Sequence, residues 1–198
     1  MGHYIGIVPA KDGREIKSIL KPFDETIEVA PYVEKSGCSL VKETREQLYE
    51  LLEKSNLNAE YRVEAERKLS MSDTELHDLI VEEYDYRTDA QGNVISTYNP
   101  QSKYDYWRLA TNFAWDESGL LAQGMSVADF LEYLRNRSDD SFLPDIAYRN
   151  GRGESVWECR NLTFPKQVSP SVWKTRLERV LRTDGHHDGR VWFIDYHI

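Results

Sequence analysis

The sequence predicts an α+β protein: a mixed, largely antiparallel sheet with packed helices and an acidic helical insertion. Two hairpin signals, centred on residues 89–93 and 150–153, favour antiparallel pairing. Helical spacing of apolar residues recurs at 41–80, 126–134 and 169–181, each time behind capping residues. These segments interleave irregularly, which sets the chain apart from the strict alternation of parallel α/β folds. The 198 residues are expected to form one domain, with the insertion or subdomain at about 42–84.

In chain order, residues 3–8 are rich in aromatic and branched side chains and read as a strand ending near Pro9. Lys11-Asp12-Gly13 is a turn. With Pro22 and Pro31, the next stretch reads as extended chain with an edge strand at Thr26-Ile27-Glu28-Val29. Val41, Leu48, Leu51 and Leu52 then share a helical stripe, with Ser39 as cap. Tyr61, Ala65 and Leu69 after Asn58 mark a second helix. Ser72-Asp73-Thr74-Glu75 is a capping box opening a third, with Leu76, Leu79 and Ile80 inward.

Residues 84–87 and 94–98 flank the first hairpin signal. A capped helix follows at Ser126, carrying Phe130, Leu131 and Leu134, and residues 145–149 and 155–160 form the second hairpin around Asn150-Gly151-Arg152-Gly153. Ser169-Pro170 opens the last helix, with proline where its missing N–H is harmless. Val172, Trp173, Leu177, Val180 and Leu181 supply its apolar face, and Asp184-Gly185 ends it. Residues 191–196 read as a closing strand, expected beside the first.

Hydrophobic residues make up 40% of the chain and charged residues 30%, while 12% aromatic residues supply bulky burial. Residues 42–89 hold seven basic and fourteen acidic side chains, most of the net charge of −9. A negative surface disfavours general nucleic-acid binding and favours a basic partner protein. No apolar run approaches the length of a bilayer span and no secretory leader is evident, so a soluble protein of the cytoplasm, without membrane association, is expected. Cys38 and Cys159 are expected to be unlinked thiols. No cofactor and no metal site is expected: His186-His187-Asp188 with Asp184 lacks the spacing of a zinc motif and reads as a polar turn.

The densest stretch is Tyr98-Asn99-Pro100-Gln101-Ser102-Lys103-Tyr104-Asp105-Tyr106-Trp107-Arg108, with a turn, three charges and four aromatic rings in eleven positions. Strand alternation would place Lys103, Asp105 and Trp107 on one side and Tyr104, Tyr106 and Arg108 on the other. The run resembles the asparagine-proline-x-serine-lysine-tryptophan-aspartate-tryptophan signature of an uncharacterised family of phage, prophage and bacterial hypothetical proteins. Tyr104 and Tyr106 stand at its tryptophan positions. Leu20-Lys21-Pro22-Phe23-Asp24-Glu25 is similar to that family's leucine-alanine-proline-phenylalanine segment, and Ile194-Asp195-Tyr196-His197-Ile198 to its valine-aspartate-cysteine-histidine-isoleucine ending. Ala110-Thr111-Asn112-Phe113 departs from its glycine-glycine-arginine-tryptophan run, and Tyr196 replaces its cysteine. The resemblance implies a phage or mobile-element setting and no chemistry.

Lys103 with Asp105, and Asp195 with His197, are the candidate polar pairs, since residues two apart on a strand share a face. Tyr104, Tyr106, Trp107 and Arg108 are candidate ligand contacts; Phe113 and Trp115 are further rings that either stack on bases or fill the core. Structural ion pairs use the same polar residues, and a brace at the turn is the more frequent outcome for Lys103 and Asp105. The first expectation is an accessory protein that binds a host protein, with inhibition of a defence system among the roles that fit, docking through Glu46, Glu50 and Glu53. The alternative is a small enzyme or sequestering protein for a nucleotide-like anionic ligand, acting through Lys103, Asp105, Asp195 and His197. Convergence of the central run and the C-terminal strand separates the two.

Overall fold

A computed structural model describes residues 3–110, 124–136, 143–159, 168–183 and 189–197. The chain divides into two compact units, residues 1–27 with 99–198, and residues 28–98. The second takes in more chain than the expected insertion. The fold is α+β, with six helices among the described residues.

The first unit is built on the strands β1 (His3–Ala10), β4 (Tyr106–Leu109), β5 (Met125–Ser126), β6 (Asp145–Arg149), β7 (Ser155–Glu158) and β8 (Arg190–His197). Their order is β4-β8-β1-β6-β7, with β5 also on β8. The β1–β6 pairing is parallel and the others are antiparallel. As expected, the first and last strands are neighbours, in register from His3 opposite His197 to Ala10 opposite Arg190.

Alternation gives this sheet two apolar faces. On one, Ile7, Ile146, Val191 and Phe193 meet α5 (Val127–Asn136) and α6 (Pro170–Thr183) through Phe130, Leu134, Trp173, Leu177 and Leu181. Val172, expected in this core, is 58% exposed, because it falls off the stripe defined by Trp173 and Leu177. On the other face, Val8, Ala147, Ile194 and Tyr196 meet Ile16, Ile19 and Leu20 of α1 (Gly13–Leu20).

Helix α1 lies where extended chain is expected. Asp12 caps it, accepting from the backbone of Arg14 at 2.8 Å and Glu15 at 3.0 Å. Eight residues make a marginal helix in isolation. Burial of its three apolar side chains, worth about 1.5–3 kcal/mol each, decides in favour of the helix. Pro22 sits beyond the helix in a 3-10 turn, Lys21–Phe23, where it breaks nothing.

The second unit contains β2 (Tyr32–Lys35), α2 (Gly37–Leu52), α3 (Ala59–Leu69), α4 (Asp73–Glu83) and β3 (Val94–Ser96). Leu40, Val41, Leu76, Ile80 and Val94 form its core. The Ser72–Glu75 capping box is present in both directions. Ser36 caps α2 in place of Ser39, while Tyr61 of α3 is 65% exposed. The expected hairpin at 84–98 reduces to one bridge between Thr88 and Val94; β3 pairs with β2 instead. The expected strand at 26–29 is absent, and Val29 only donates to the Thr97 carbonyl. Arg45 closes α3 by bonding the carbonyls of Leu69 and Met71, and pairs with Asp73 at 2.7 Å. No helix among the described residues is long and apolar enough to cross a membrane.

Candidate functional site

The central run divides in two. Its first half is structural. Asn99 is only 4% exposed, and its amide donates to the carbonyls of Pro22 at 2.8 Å and Asp24 at 3.0 Å while its oxygen accepts from the Gln101 backbone at 3.0 Å. Lys103 donates its backbone N–H to the Phe23 carbonyl, and Tyr104, buried, donates its hydroxyl to the Leu20 carbonyl at 3.0 Å. These bonds tie residues 99–104 to the end of α1. Regular alternation starts only at Tyr106: Tyr104 and Trp107 both belong to the cluster under α1.

The second half reaches the C-terminal strand. Tyr106 lies opposite His197 and Arg108 opposite Asp195, while His3 lies opposite His197 on the other side of β8. The alternation of a strand therefore puts Tyr106, Arg108, Asp195, His197 and His3 on one face, at the end of the sheet beyond the core.

Here two imidazoles are each held by a carboxylate. The Nδ1 of His197 lies 2.9 Å from both oxygens of Asp105, and the Nδ1 of His3 lies 3.0 Å from Oδ1 of Asp195. The other oxygen of Asp195 accepts from Nε and Nη2 of Arg108 at 3.0 and 2.9 Å. The two rings meet edge to face with centroids 5.5 Å apart. A carboxylate partner makes Nδ1 the donor, so a neutral ring carries its lone pair on Nε2, which bonds to no described residue in either case. Asp195 is nearly buried, whereas His3 and Arg108 have side chains 66% and 62% exposed. Two oriented imidazoles and an exposed guanidinium can take a proton, give one and hold an anion.

Of the sequence candidates, Asp105, Asp195 and His197 are thus joined in one cluster with Arg108, and Tyr106 stands exposed beside them. Lys103 is not part of it. Asp105 bonds to His197 rather than Lys103, whose charge acts instead on the Cys159 thiol. His3 carries no signal in isolation and only its register marks it. Phe113, Trp115, Asp184, His186, His187 and Asp188 lie outside the described residues. The described residues hold no group of three or more histidines, cysteines or carboxylates arranged for a metal.

The opposite face holds a second, enclosed polar group. The Tyr196 hydroxyl donates to Asp145, and Trp157 Nε1 donates to Cys159 Sγ at 3.0 Å. Burial, with the Asp145 charge acting the same way, holds the Tyr196 phenol far above its ordinary value and pushes the Cys159 thiol up to about 12. Both therefore keep their protons, and neither is an activated nucleophile.

In the second unit, Glu46, Glu50 and Glu53 are exposed along and just beyond α2. A groove of about 670 Å³ opens beside Gly37, Val41, Arg45, Asp73, His77 and Gly92. His77 has both ring nitrogens occupied, by Asp78 at 3.2 Å and the Gly92 carbonyl at 2.8 Å, and these bonds raise its basicity. It pins α4 to the turn at Gly92. Comparison with protein-family models, with curated proteins and with solved structures yields no match to the chain.

Proposed function

We propose that the end of the first unit's sheet carrying His3, Arg108 and His197 binds a nucleotide-like anionic ligand through a phosphate ester and acts on it by proton transfer. The observation that carries this reading is the pair of carboxylate-held imidazoles, rings 5.5 Å apart, beside Arg108. A carboxylate that fixes the tautomer of an imidazole is the usual means of presenting Nε2 as base or acid. Arg108 adds a planar donor group suited to phosphate oxygens. The test is titration with adenosine monophosphate and with inorganic phosphate, followed through the histidine Cε1–H resonances assigned with His3→Gln and His197→Gln. The resonances of both residues should move on binding, and Arg108→Met should weaken it by roughly tenfold or more. Resonances unmoved by either anion would remove the reading.

A second reading has separate support in the charge of residues 28–98, with sixteen acidic against eight basic side chains. Such a surface suits a basic host protein, as expected of a phage or mobile-element accessory protein that inhibits a defence component. A partner recovered from host lysate should associate more slowly at raised ionic strength and with Glu46, Glu50 and Glu53 reversed to lysine. A rate that neither change alters would exclude this docking surface.

A further inference from the structure

We infer that the ligand of the sheet end is a small ribonucleotide phosphodiester, and that the paired imidazoles catalyse its cleavage by the neighbouring 2′-hydroxyl. This rests on the reading of the site as an acid–base centre for a nucleotide-like anion. The five residues of the cluster are two histidines, two aspartates and an arginine. Both aspartates are occupied in holding the imidazoles, and Asp195 also holds Arg108. The cysteine and tyrosine of the enclosed group on the opposite face keep their protons. What the cluster offers is two imidazoles side by side, and an imidazole that moves a proton is not at the same time the nucleophile. Phosphoryl chemistry that needs this set has its nucleophile in the substrate.

The step balances with the groups present. Nε2 of one imidazole takes the proton of the 2′-hydroxyl as the O2′–P bond forms. The P–O5′ bond breaks, and the leaving O5′ takes the proton carried on Nε2 of the other imidazole. The products are a 2′,3′-cyclic phosphate and a 5′-hydroxyl, and exchange with water restores the two protonation states. Nη1 of Arg108, which bonds to no described residue, is left for the non-bridging phosphate oxygens. Tyr106, 58% exposed and opposite His197 in the ladder, supplies a ring on which a base can stack.

Size follows from charge. The site offers one exposed guanidinium, that of Arg108, and a dinucleotide brings a single internal phosphate to it. The substrate class is therefore short or cyclic ribo-oligonucleotides rather than structured RNA.

The experiment uses the full chain with a pool of all ribodinucleoside monophosphates and, in parallel, the matching 2′-deoxy pool. The expected result is 2′,3′-cyclic phosphate product from the ribo pool only, with the deoxy pool shifting the His3 and His197 resonances without turnover. His3→Gln, at an exposed position, should keep the circular dichroism spectrum and lose about 10²–10⁴-fold of the rate, as should His197→Gln. Binding of the deoxy pool without cleavage of the ribo pool would overturn the proposed chemistry and leave the anion-site reading standing. Equal cleavage of both pools would overturn the 2′-hydroxyl mechanism alone. Neither binding nor cleavage would overturn the proposal and the reading beneath it.

Discussion

Removing the Asn99 side chain should destabilise the first unit more than its size suggests. Asn99→Ala takes the donor away from the Pro22 and Asp24 carbonyls and the acceptor away from the Gln101 N–H, at a position 4% exposed. The Asp24 carbonyl keeps a long bond from the Ile27 N–H at 3.4 Å, so the Pro22 carbonyl bears most of the loss. One stranded buried acceptor costs about 1–3 kcal/mol and each further lost bond about 0.5–1.5 kcal/mol, which puts the total near 3 kcal/mol. For a chain of this length that corresponds to a fall in Tm of about 6–12 °C. Asn99→Asp separates geometry from size: it preserves the Gln101 acceptor but turns an oxygen towards two carbonyls. It should therefore be at least as damaging as alanine. Thermal unfolding followed by near-ultraviolet circular dichroism measures both variants. A fall below about 2 °C for alanine, or an aspartate variant as stable as the natural protein, would refute the assignment of Asn99 as the clamp between the central run and α1.

In the second unit, a Cβ at Gly37 would lie 2.7 Å from the Gly92 carbonyl oxygen, a backbone atom that cannot swing away. Gly37→Ala should cost about 1–3 kcal/mol and raise amide exchange in α2 and around residue 92; unchanged exchange would show that the contact is not tight. Burial opposes the charge of Glu158, but bonds from Arg176 at 2.7 Å and from the Tyr148 hydroxyl outweigh it and hold the carboxyl below its ordinary value of 4.5. The stability it contributes is complete above 4.5 and lost as pH falls through the depressed value, so Glu158→Gln should lower stability at neutral pH and flatten the acid limb of a denaturation profile below 4.5. A parallel acid limb would contradict that linkage. Neither cysteine is in a disulfide; Cys38 is exposed and Cys159 buried. A disulfide reagent should modify one thiol in the native protein and the second only on unfolding, whereas two fast thiols would mean that Cys159 is accessible.

Local interactions made much of the fold legible. The Ser72–Glu75 box, the Asn58 cap and the Asn150–Gly153 turn each act within a few residues, and the structure has α4, α3 and the β6–β7 hairpin at those places. Helix α1 was obscured because two prolines suggest extended chain, although the Asp12 cap and the spacing of Ile16, Ile19 and Leu20 are also local signals. The partner of β3 was not legible at all. A glycine-bearing turn predicts that the chain reverses, which the Thr88–Val94 bridge does, but the strand that pairs along β3 is β2, with Lys35 opposite Val94 and Tyr32 opposite Ser96.

The candidate site shows the same division. That Asp105 and His197 are worth testing follows from residue type and spacing, but their bond depends on β4 lying against β8. His3 meets Asp195 across 192 positions of sequence, and no pattern near residue 3 announces it. What the sequence by itself determined is therefore which segments form helices and strands where caps, turns and apolar spacing agree, and which polar pairs share a strand. What only the tertiary structure decided is the register of β1 and β4 on β8, because that register answers to burial of both sheet faces at once. A slip of one residue in β1 or β4 would move Ile7 or Leu109 to the other face of the sheet and carry His3 or Arg108 away from Asp195.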